Sequence, residues 1–330
     1  MTTVSILGVG SWGTAFAQVV ADSGHHVLLW GRDQIVIDEI NTRHTNSKFH
    51  PGVELLESIR ATSDAPEALA ADVVVLAVPT QALRSNLRTW KPYISDRSLV
   101  VSLLKGLEMS SSLRVSEIVA QEWGHQADKF ALVTGPNLAG EIIARQPAAG
   151  VVASTSEQSA LLLQSLSSAP YFRPYTSTDV VGCEIAGVGK NVIAFTVGMA
   201  VGLGMGDNTQ ATVITRGLAE ITRLGVAMGA DEATFSGLAG LGDLVATCSS
   251  PLSRNRTFGE RMGKGLTLSE ATEAASTTAE AIKSARPLLE LAISHGESMP
   301  ITEAVVAVIE GALMPTDAVR KLMSREKRAE

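Results

Sequence analysis

The segment at positions 4–15, VSILGVGSWGTA, constrains this chain more than any other. Four apolar residues, Val4–Leu7, run into Gly8-Val9-Gly10-Ser11-Trp12-Gly13 and on into Thr14-Ala15-Phe16-Ala17-Gln18-Val19-Val20. That is the pattern of a strand, a glycine turn and a helix. In such a turn the first glycine permits the tight bend, the second lets a pyrophosphate approach the backbone, and the third allows close helix–strand packing. The uncovered N–H groups and the positive end of the helix then face an anion. Gly8, Gly10 and Gly13 are therefore expected in a dinucleotide site. The competing reading is a tight turn with no ligand, and the placement between a strand and a helix favours the first.

Val27–Trp30 reads as the second strand, entered through the turn residues His25 and His26, and it ends in Gly31-Arg32-Asp33. At this position an acidic residue holds the ribose 2′-hydroxyl of NAD, whereas an arginine accommodates the 2′-phosphate of NADP. Arg32 ahead of Asp33 favours NADPH and leaves NADH usable; the alternative is an ordinary solvated arginine. Further buried strands are expected at 72–79, 98–104, 129–134 and 148–153, with a last short one at 171–175. Lys105 follows the second of these, where a lysine either reaches a bound anion or carbonyl or points into solvent. From about Asp179 the β-branched runs give way to Ala/Gly/Leu stretches with helical spacing. Helices are expected at 182–201, 209–228, 235–249, 253–262, 278–294, 301–313 and 316–324, with a frayed tail at 325–330. The expected fold is α/β, with an N-terminal Rossmann-type doubly wound sheet over 1–179 and an all-α C-terminal domain over 180–330.

Composition narrows the function. The 330 residues suffice for two cores, and a formal charge of −7 disfavours a nucleic-acid or anionic-membrane surface. Cys183 and Cys248 lie outside any CxxC and no secretory signal precedes the first strand, so both are expected reduced in the cytoplasm. The apolar run at 191–206 is broken by glycine and shorter than the about 20 residues of a spanning helix, which predicts a buried helix rather than membrane insertion. No metal-ligand set is visible.

Three downstream clusters carry chemistry. Lys190-Asn191 lies in the nearly uncharged stretch 185–206. A lysine there either acts as a general acid or base, its pKa lowered by burial, or packs its stem while the head reaches water. Gly237, Gly240 and Gly242 fall within six residues, although glycine costs roughly 1 kcal/mol at an interior helical position, and they imply close packing or ligand approach. Asp243 follows them among apolar neighbours and needs a cationic or hydrogen-bonding partner; Lys190 is a candidate, in a catalytic or a purely structural pair. Ser253-Arg254-Asn255-Arg256 at an expected helix start is suited either to a phosphate or to a solvated basic turn.

Together these stretches resemble the NAD(P)-dependent glycerol-3-phosphate dehydrogenases of bacterial type. The matching segments are GVGSWGTA at 8–15, LAVPTQALR at 76–84, LKGLE at 104–108, GPNLAGE at 135–141, the Lys190-Asn191 pair, RGLAEITRLG at 216–225, TFSGLAGLGDLVATCSSPLSRNR at 234–256 and Glu280. The resemblance implies reversible hydride transfer between NADPH or NADH and C2 of glycerone phosphate, giving sn-glycerol 3-phosphate for glycerophospholipid synthesis, in a homodimer. It places Ser11, Trp12, Arg32 and Phe49 at the cofactor, Ala139 on its nicotinamide side, and Arg254 and Glu280 also against it. Lys105, Gly135, Asn137, Lys190 and Asn191 would line the substrate, with Lys105 also near the cofactor. Lys190 would exchange the proton at the C2 oxygen, Asp243 would bind substrate and orient Lys190, and Ser253, Arg254 and Asn255 would hold the phosphate.

Asn137, Thr80, Gly140 and the approach 185–189 depart from the family's usual serine, serine, lysine and LGGAL, and none removes a role-bearing group. Two other functions fit parts of the pattern. A different two-domain hydroxyacid or hydroxyacyl dehydrogenase would lack the SRNR cluster, and a non-catalytic NADPH-binding sensor would be indifferent to loss of Lys190.

Overall fold

The computed structural model describes residues 2–124, 126–275 and 279–324. The chain divides into two compact units, one running to Leu104 and from Leu113 to Val180, the other formed by Lys105–Ser112 and the chain from Val181 onward.

The first unit alternates strands and helices. β1 (Val4–Leu7), α1 (Ser11–Asp22), β2 (Val27–Trp30), α2 (Gln34–Arg43) and β3 (Ile59–Thr62) make its first part. α3 (Ala65–Leu69), β4 (Val73–Leu76), α4 (Thr80–Trp90), β5 (Leu99–Ser102), α5 (Val115–Trp123) and β6 (Phe130–Thr134) continue it. α6 (Ala139–Ile143), β7 (Ala148–Ala153), α7 (Glu157–Leu166) and β8 (Phe172–Ser177) complete it. The eight strands form one sheet in the order β3-β2-β1-β4-β5-β6-β7-β8, parallel throughout except for β6 against β7. β1, β4 and β5 are buried along their whole length, which is why they are apolar at every position except Ser5 and Ser102 rather than alternating. Leu7 pairs with both Trp30 and Leu76, so β1, β2 and β4 end level. Chain order reverses between β1 and β4, and the carboxyl ends of those strands frame the crevice where such sheets take ligands. β3 was not anticipated: IRAT has only two buried residues, Ile59 and Ala61, and offers little signal.

The second unit is helical, comprising α8 (Val180–Gly202), α9 (Asp207–Ala227), α10 (Glu232–Ser236), α11 (Asp243–Ser249), α12 (Arg254–Gly263), α13 (Leu268–Glu273), α14 (Glu280–Ser294), α15 (Pro300–Ile309) and α16 (Pro315–Met323). Three expectations need correction. The continuous helix at 235–249 is interrupted: α10 stops at Ser236 and a single π-turn, Leu238–Gly242, precedes α11. The apolar run at 191–206 is buried as expected, but shortness is not what argues against a membrane: as far as Gly202 it belongs to a 23-residue helix, long and apolar enough to cross one, whose most apolar window is 89% buried within the protein. The division at 179/180 misses the excursion 105–112, which joins the helical unit because Leu107 is buried in that core and Ser112 Oγ donates to Glu290 at 3.0 Å. Positions 325–330, and residue 278 at the start of the expected 278–294 helix, lie outside the described residues.

α8 is buried on every side from Gly182 to Ala200, so it has no polar face. It crosses α12 with the two backbones in contact. A Cβ at Gly198 or Gly202 would overlap the carbonyl oxygens of Arg256 or Glu260, and one at Gly259 or Gly263 those of Phe195 or Met199. Two Gly-x-x-x-Gly pairs therefore set the spacing that holds Lys190 and Asn191 near the start of α12. Gly259→Ala should destabilise the protein by about 3 kcal/mol in urea unfolding, the overlap outweighing alanine's better helix propensity. Gly206→Ala, at the open N-cap of α9, should cost about 1 kcal/mol or less; equal stabilities for the two variants would contradict this packing.

Candidate active site

The first unit builds its site on the glycine turn. Gly8 has φ +140°, and a Cβ there would lie 2.5 Å from Ala77 O. A Cβ at Gly13 would overlap Gly8 O, whereas above Gly10 there is open space. Gly8 and Gly13 thus have steric reasons to lack a side chain, and Gly10 leaves the space above the turn open. Gly10 is also the N-cap of α1 and offers no side chain to its N–H groups, so the first turn is left uncapped towards that space. Trp12 Nε1 and both polar atoms of the Asn137 amide are buried without a hydrogen-bond partner. An uncapped helix start, open space and orphaned amide groups fit a bound dinucleotide. At the end of β6, Gly135 has φ +106° and its Cβ would sit 3.2 Å from Gly150 Cα, fixing the bend that leads to Asn137 and to Ala139, the first residue of α6.

The residues that brace this turn were not singled out in the sequence. Asn46 Nδ2 donates to Val9 O at 3.0 Å and to Thr14 Oγ1 at 2.9 Å. His50 Nε2 donates to Ser11 O at 2.8 Å, and burial holds its pKa below the ordinary value. Glu39 accepts from Ser47 N at 2.8 Å and Thr45 Oγ1 at 2.8 Å. The segment 44–58 is therefore a pinned loop, and its length was the available signal, since loops this long in compact domains are often functional. Phe49 is half-buried within it. Arg32 is exposed at the end of β2.

The second unit centres on a buried carboxylate. Asp243 Oδ1 accepts from Lys190 Nζ at 2.5 Å and Oδ2 from Lys105 Nζ at 2.6 Å. All three sit in the same unit, because segment 105–112 belongs with the helices. The π-turn places Asp243: Gly242 N donates to Gly237 O at 3.0 Å, and a Cβ at Gly240 would overlap Phe235 O, while Gly237 and Gly242 make no comparably close approach. Thr247 lies one turn on, on the same face of α11. Its hydroxyl donates to Asp243 O at 2.6 Å, and its oxygen accepts from Lys190 Nζ at 3.0 Å. The spacing of four from Asp243 could have revealed it.

Burial pushes Lys190 down to about 8, with Lys105 acting in the same direction and Asp243 against it. Burial works against the charged form of Asp243, but the two ammonium groups overcome that and hold it below its ordinary value. The site thus contains a carboxylate held ionised and a lysine able to exchange a proton near neutral pH.

An amide relay runs beside it. Asn191 Nδ2 donates to Lys105 O at 3.2 Å, Asn255 Nδ2 donates to Asn191 Oδ1 at 2.9 Å, and Asn255 Oδ1 accepts from Ala281 N at 3.0 Å. Asn255 therefore links α8, α12 and α14 and keeps one amide hydrogen beyond these bonds. Ser253 is the N-cap of α12, its oxygen accepting from Arg256 N at 3.3 Å. Arg254 is exposed on the first turn, and its charge reaches Glu280. Glu280 is half-buried with its enclosed Oε2 unpartnered, and desolvation raises its pKa. Among the described residues no group of His, Cys, Asp or Glu is arranged to hold a metal ion. Both cysteines are buried and neither is in a disulfide among the described residues, and burial pushes Cys248 up to about 12.

Removing the central carboxylate leaves the buried Lys190 ammonium and the partly buried Lys105 ammonium without the anion between them. Asp243→Ala should therefore cost about 3–5 kcal/mol of stability in urea unfolding at pH 7. The deficit should shrink as pH rises towards 10, because Lys190 can then shed its proton. A loss below about 1 kcal/mol would mean that the carboxylate is not the counter-ion of this core.

Two family profiles match this chain: NAD-dependent glycerol-3-phosphate dehydrogenase N-terminus over residues 3–160, and NAD-dependent glycerol-3-phosphate dehydrogenase C-terminus over residues 179–320. The chain is 55% identical over 327 residues to glycerol-3-phosphate dehydrogenase (NAD(P)+) of Streptomyces coelicolor, covering 99% of this chain and 97% of that one. It is 54% identical over 332 residues to the protein of the same name from Thermobifida fusca, covering 100% and 99%. Among solved structures, glycerol-3-phosphate dehydrogenase from Coxiella burnetii superposes with a TM-score of 0.93 at 35% identity, covering 98% of this chain and 99% of that one.

Proposed function

The chain belongs to the NAD-dependent glycerol-3-phosphate dehydrogenase family, and from that premise we propose that it interconverts glycerone phosphate and sn-glycerol 3-phosphate with Lys190 as the proton carrier. It is an NAD(P)-dependent oxidoreductase. The observation that carries the assignment of Lys190 is its position on the Asp243 carboxylate inside an apolar helical core. Asp243 and Thr247 engage two of the three N–H groups of the ammonium, and the third is the donor to the substrate's C2 oxygen. The hydride for C2 comes from the nicotinamide when the cofactor is bound. Hydride to carbon and proton to oxygen together convert the ketone to the alcohol, and the reverse direction returns the proton to neutral Lys190.

Asp243 keeps Lys190 aimed and compensates its charge, while burial keeps the proton easy to release. Lys105, on the second carboxylate oxygen, is the further cation beside the substrate. The phosphate is held at the start of α12 by Arg254, the Ser253 hydroxyl and the remaining Asn255 amide hydrogen. Asn191 orders that end through the relay, and it is resemblance to the family that assigns Gly135 and Asn137 to the substrate. Ser11, Trp12, Phe49, Ala139 and the turn of Gly8, Gly10 and Gly13 hold the dinucleotide, with Arg254 and Glu280 as further contacts. Arg32 supports NADPH as the preferred cofactor, with NADH also accepted. Resemblance to the bacterial enzymes supports a cytoplasmic homodimer whose product enters glycerophospholipid synthesis.

The test is glycerone phosphate-dependent oxidation of NADPH across pH. Reduction needs protonated Lys190 and should fall as pH rises through about 8, whereas oxidation of sn-glycerol 3-phosphate needs the neutral amine and should rise over the same interval. Lys190→Ala should lower kcat by about 10²–10⁴-fold while NADPH still quenches tryptophan fluorescence with an unchanged midpoint. Absence of turnover by folded protein would refute the reaction, and intact turnover by Lys190→Ala would remove Lys190 from it.

A further inference from the structure

We propose that Lys48 and Asp33 act as a pair that reads the ribose 2′ position of the cofactor. Lys48 serves as a ligand for a 2′-phosphate and neutralises the neighbouring carboxylate, and Asp33 accepts a hydrogen bond from a free 2′-hydroxyl. The inference rests on the NAD(P) dependence and dinucleotide site described above.

Asp33 occupies the strand-end position at which a carboxylate ordinarily selects for NAD. A 2′-phosphate carries close to two negative charges at neutral pH, so an unpaired carboxylate beside it would repel it. In this chain the carboxylate is already occupied on both oxygens. Oδ1 accepts from Ile35 N at 3.2 Å and caps α2, and Oδ2 accepts from Lys48 Nζ at 2.8 Å. The lysine ammonium has three donors, of which Asp33 takes one and leaves two for a phosphate. Arg32 stands one residue away, exposed and without a hydrogen bond or ion pair among the described residues. The strand end thus presents a second cation whose charge is balanced by the carboxylate that would otherwise exclude NADP.

Lys48 is more than a solvated surface lysine, because its backbone is fixed on both sides. Asn46 is tied to Val9 O, Ser47 N to Glu39, and His50 to Ser11 O. The side chain also lies near the Phe49 ring, with Nζ 5.8 Å from its centroid. The same pinned loop that braces the pyrophosphate turn therefore carries Lys48 to the end of β2. When the 2′ group is a hydroxyl, Asp33 Oδ2 accepts from it alongside Lys48. When it is a phosphate, Lys48 bridges carboxylate and phosphate. The pair accommodates both cofactors without movement of the backbone.

The experiment is calorimetric binding of adenosine 2′,5′-bisphosphate and of 5′-AMP to the full-length chain, with no turnover required. An exposed ion pair adds little stability, so Lys48→Met should melt with the unmodified protein. It should bind the bisphosphate about tenfold or more weakly and 5′-AMP within about twofold, as expected for loss of a charge-assisted hydrogen bond. Asp33→Asn retains the helix cap, since asparagine caps as well as aspartate. It should weaken 5′-AMP. In the Lys48→Met background it should recover at least about threefold of the lost bisphosphate affinity, because it removes the unscreened repulsion. Equal losses for both nucleotides in Lys48→Met, an unchanged preference, or additive effects without recovery would overturn the pairing. If the unmodified protein preferred the bisphosphate and Lys48→Met kept that preference, only this inference would fall. If the unmodified protein bound neither nucleotide, the dinucleotide site itself would fall and this inference with it.

Discussion

A carboxylate held between two ammonium groups in an apolar interior is the constraint on which the helical unit depends. Each charge alone would be costly to bury, and the arrangement persists only because all three meet at hydrogen-bonding distance. Meeting that requirement dictates much of the surrounding architecture. Segment 105–112 must join the helices so that Lys105 can reach Asp243. A π-turn must set the carboxylate at the head of α11. α8 must run through the centre of the unit with Lys190 facing α11, and the glycine pairs of α8 and α12 allow it to pass close enough for Asn191 and Asn255 to join. Stability and chemistry therefore draw on the same contacts. The burial that loosens the lysine's proton is opposed by the same counter-ion that makes the lysine tolerable in the core.

The sheet unit solves the opposite problem, because it must leave polar groups unsatisfied. The start of α1 carries no side-chain cap, and Trp12 Nε1 and the Asn137 amide have no partner. Such groups are costly in a folded chain unless something binds to them. Their cost is offset by rigid support from behind. Asn46 and His50 hold the carbonyls of Val9 and Ser11, and Glu39 anchors the loop that carries both. The turn is presented rather than flexible, as a site that distinguishes small differences at a ribose requires.

What could be read from the residues follows from how local each signal is. The glycine turn was legible because GxGxxG between a strand and a helix has few other uses, and Gly8 and Gly13 each have their own steric reason while Gly10 leaves open space. Strands β1, β4 and β5 were legible because complete burial leaves an almost unbroken apolar run, whereas the half-exposed β3 was not. The pairing of Lys190 with Asp243 was named as a candidate from two charges stranded in apolar stretches, which is an argument from desolvation alone. Three things were not legible. The migration of Lys105 into the helical unit depends on a contact 138 residues away in sequence. The break before Asp243 depends on an i→i+5 bond that helical periodicity does not distinguish from a continuous helix. The bracing loop is polar and aperiodic, so Asn46, Lys48 and His50 carry no pattern that marks them. The part of the site supplied by tertiary contact is thus the part that sets the electrostatics of Lys190, although Lys190 itself stood out.

The most direct test of this account is the titration of Lys190, followed through the ε-carbon resonances of isotopically labelled lysine and assigned by its absence in Lys190→Ala. The structure predicts one lysine titrating at about 8, well below the ordinary value of 10.5. A Lys190 resonance titrating near that ordinary value would contradict the claim that a buried, carboxylate-paired lysine carries the proton.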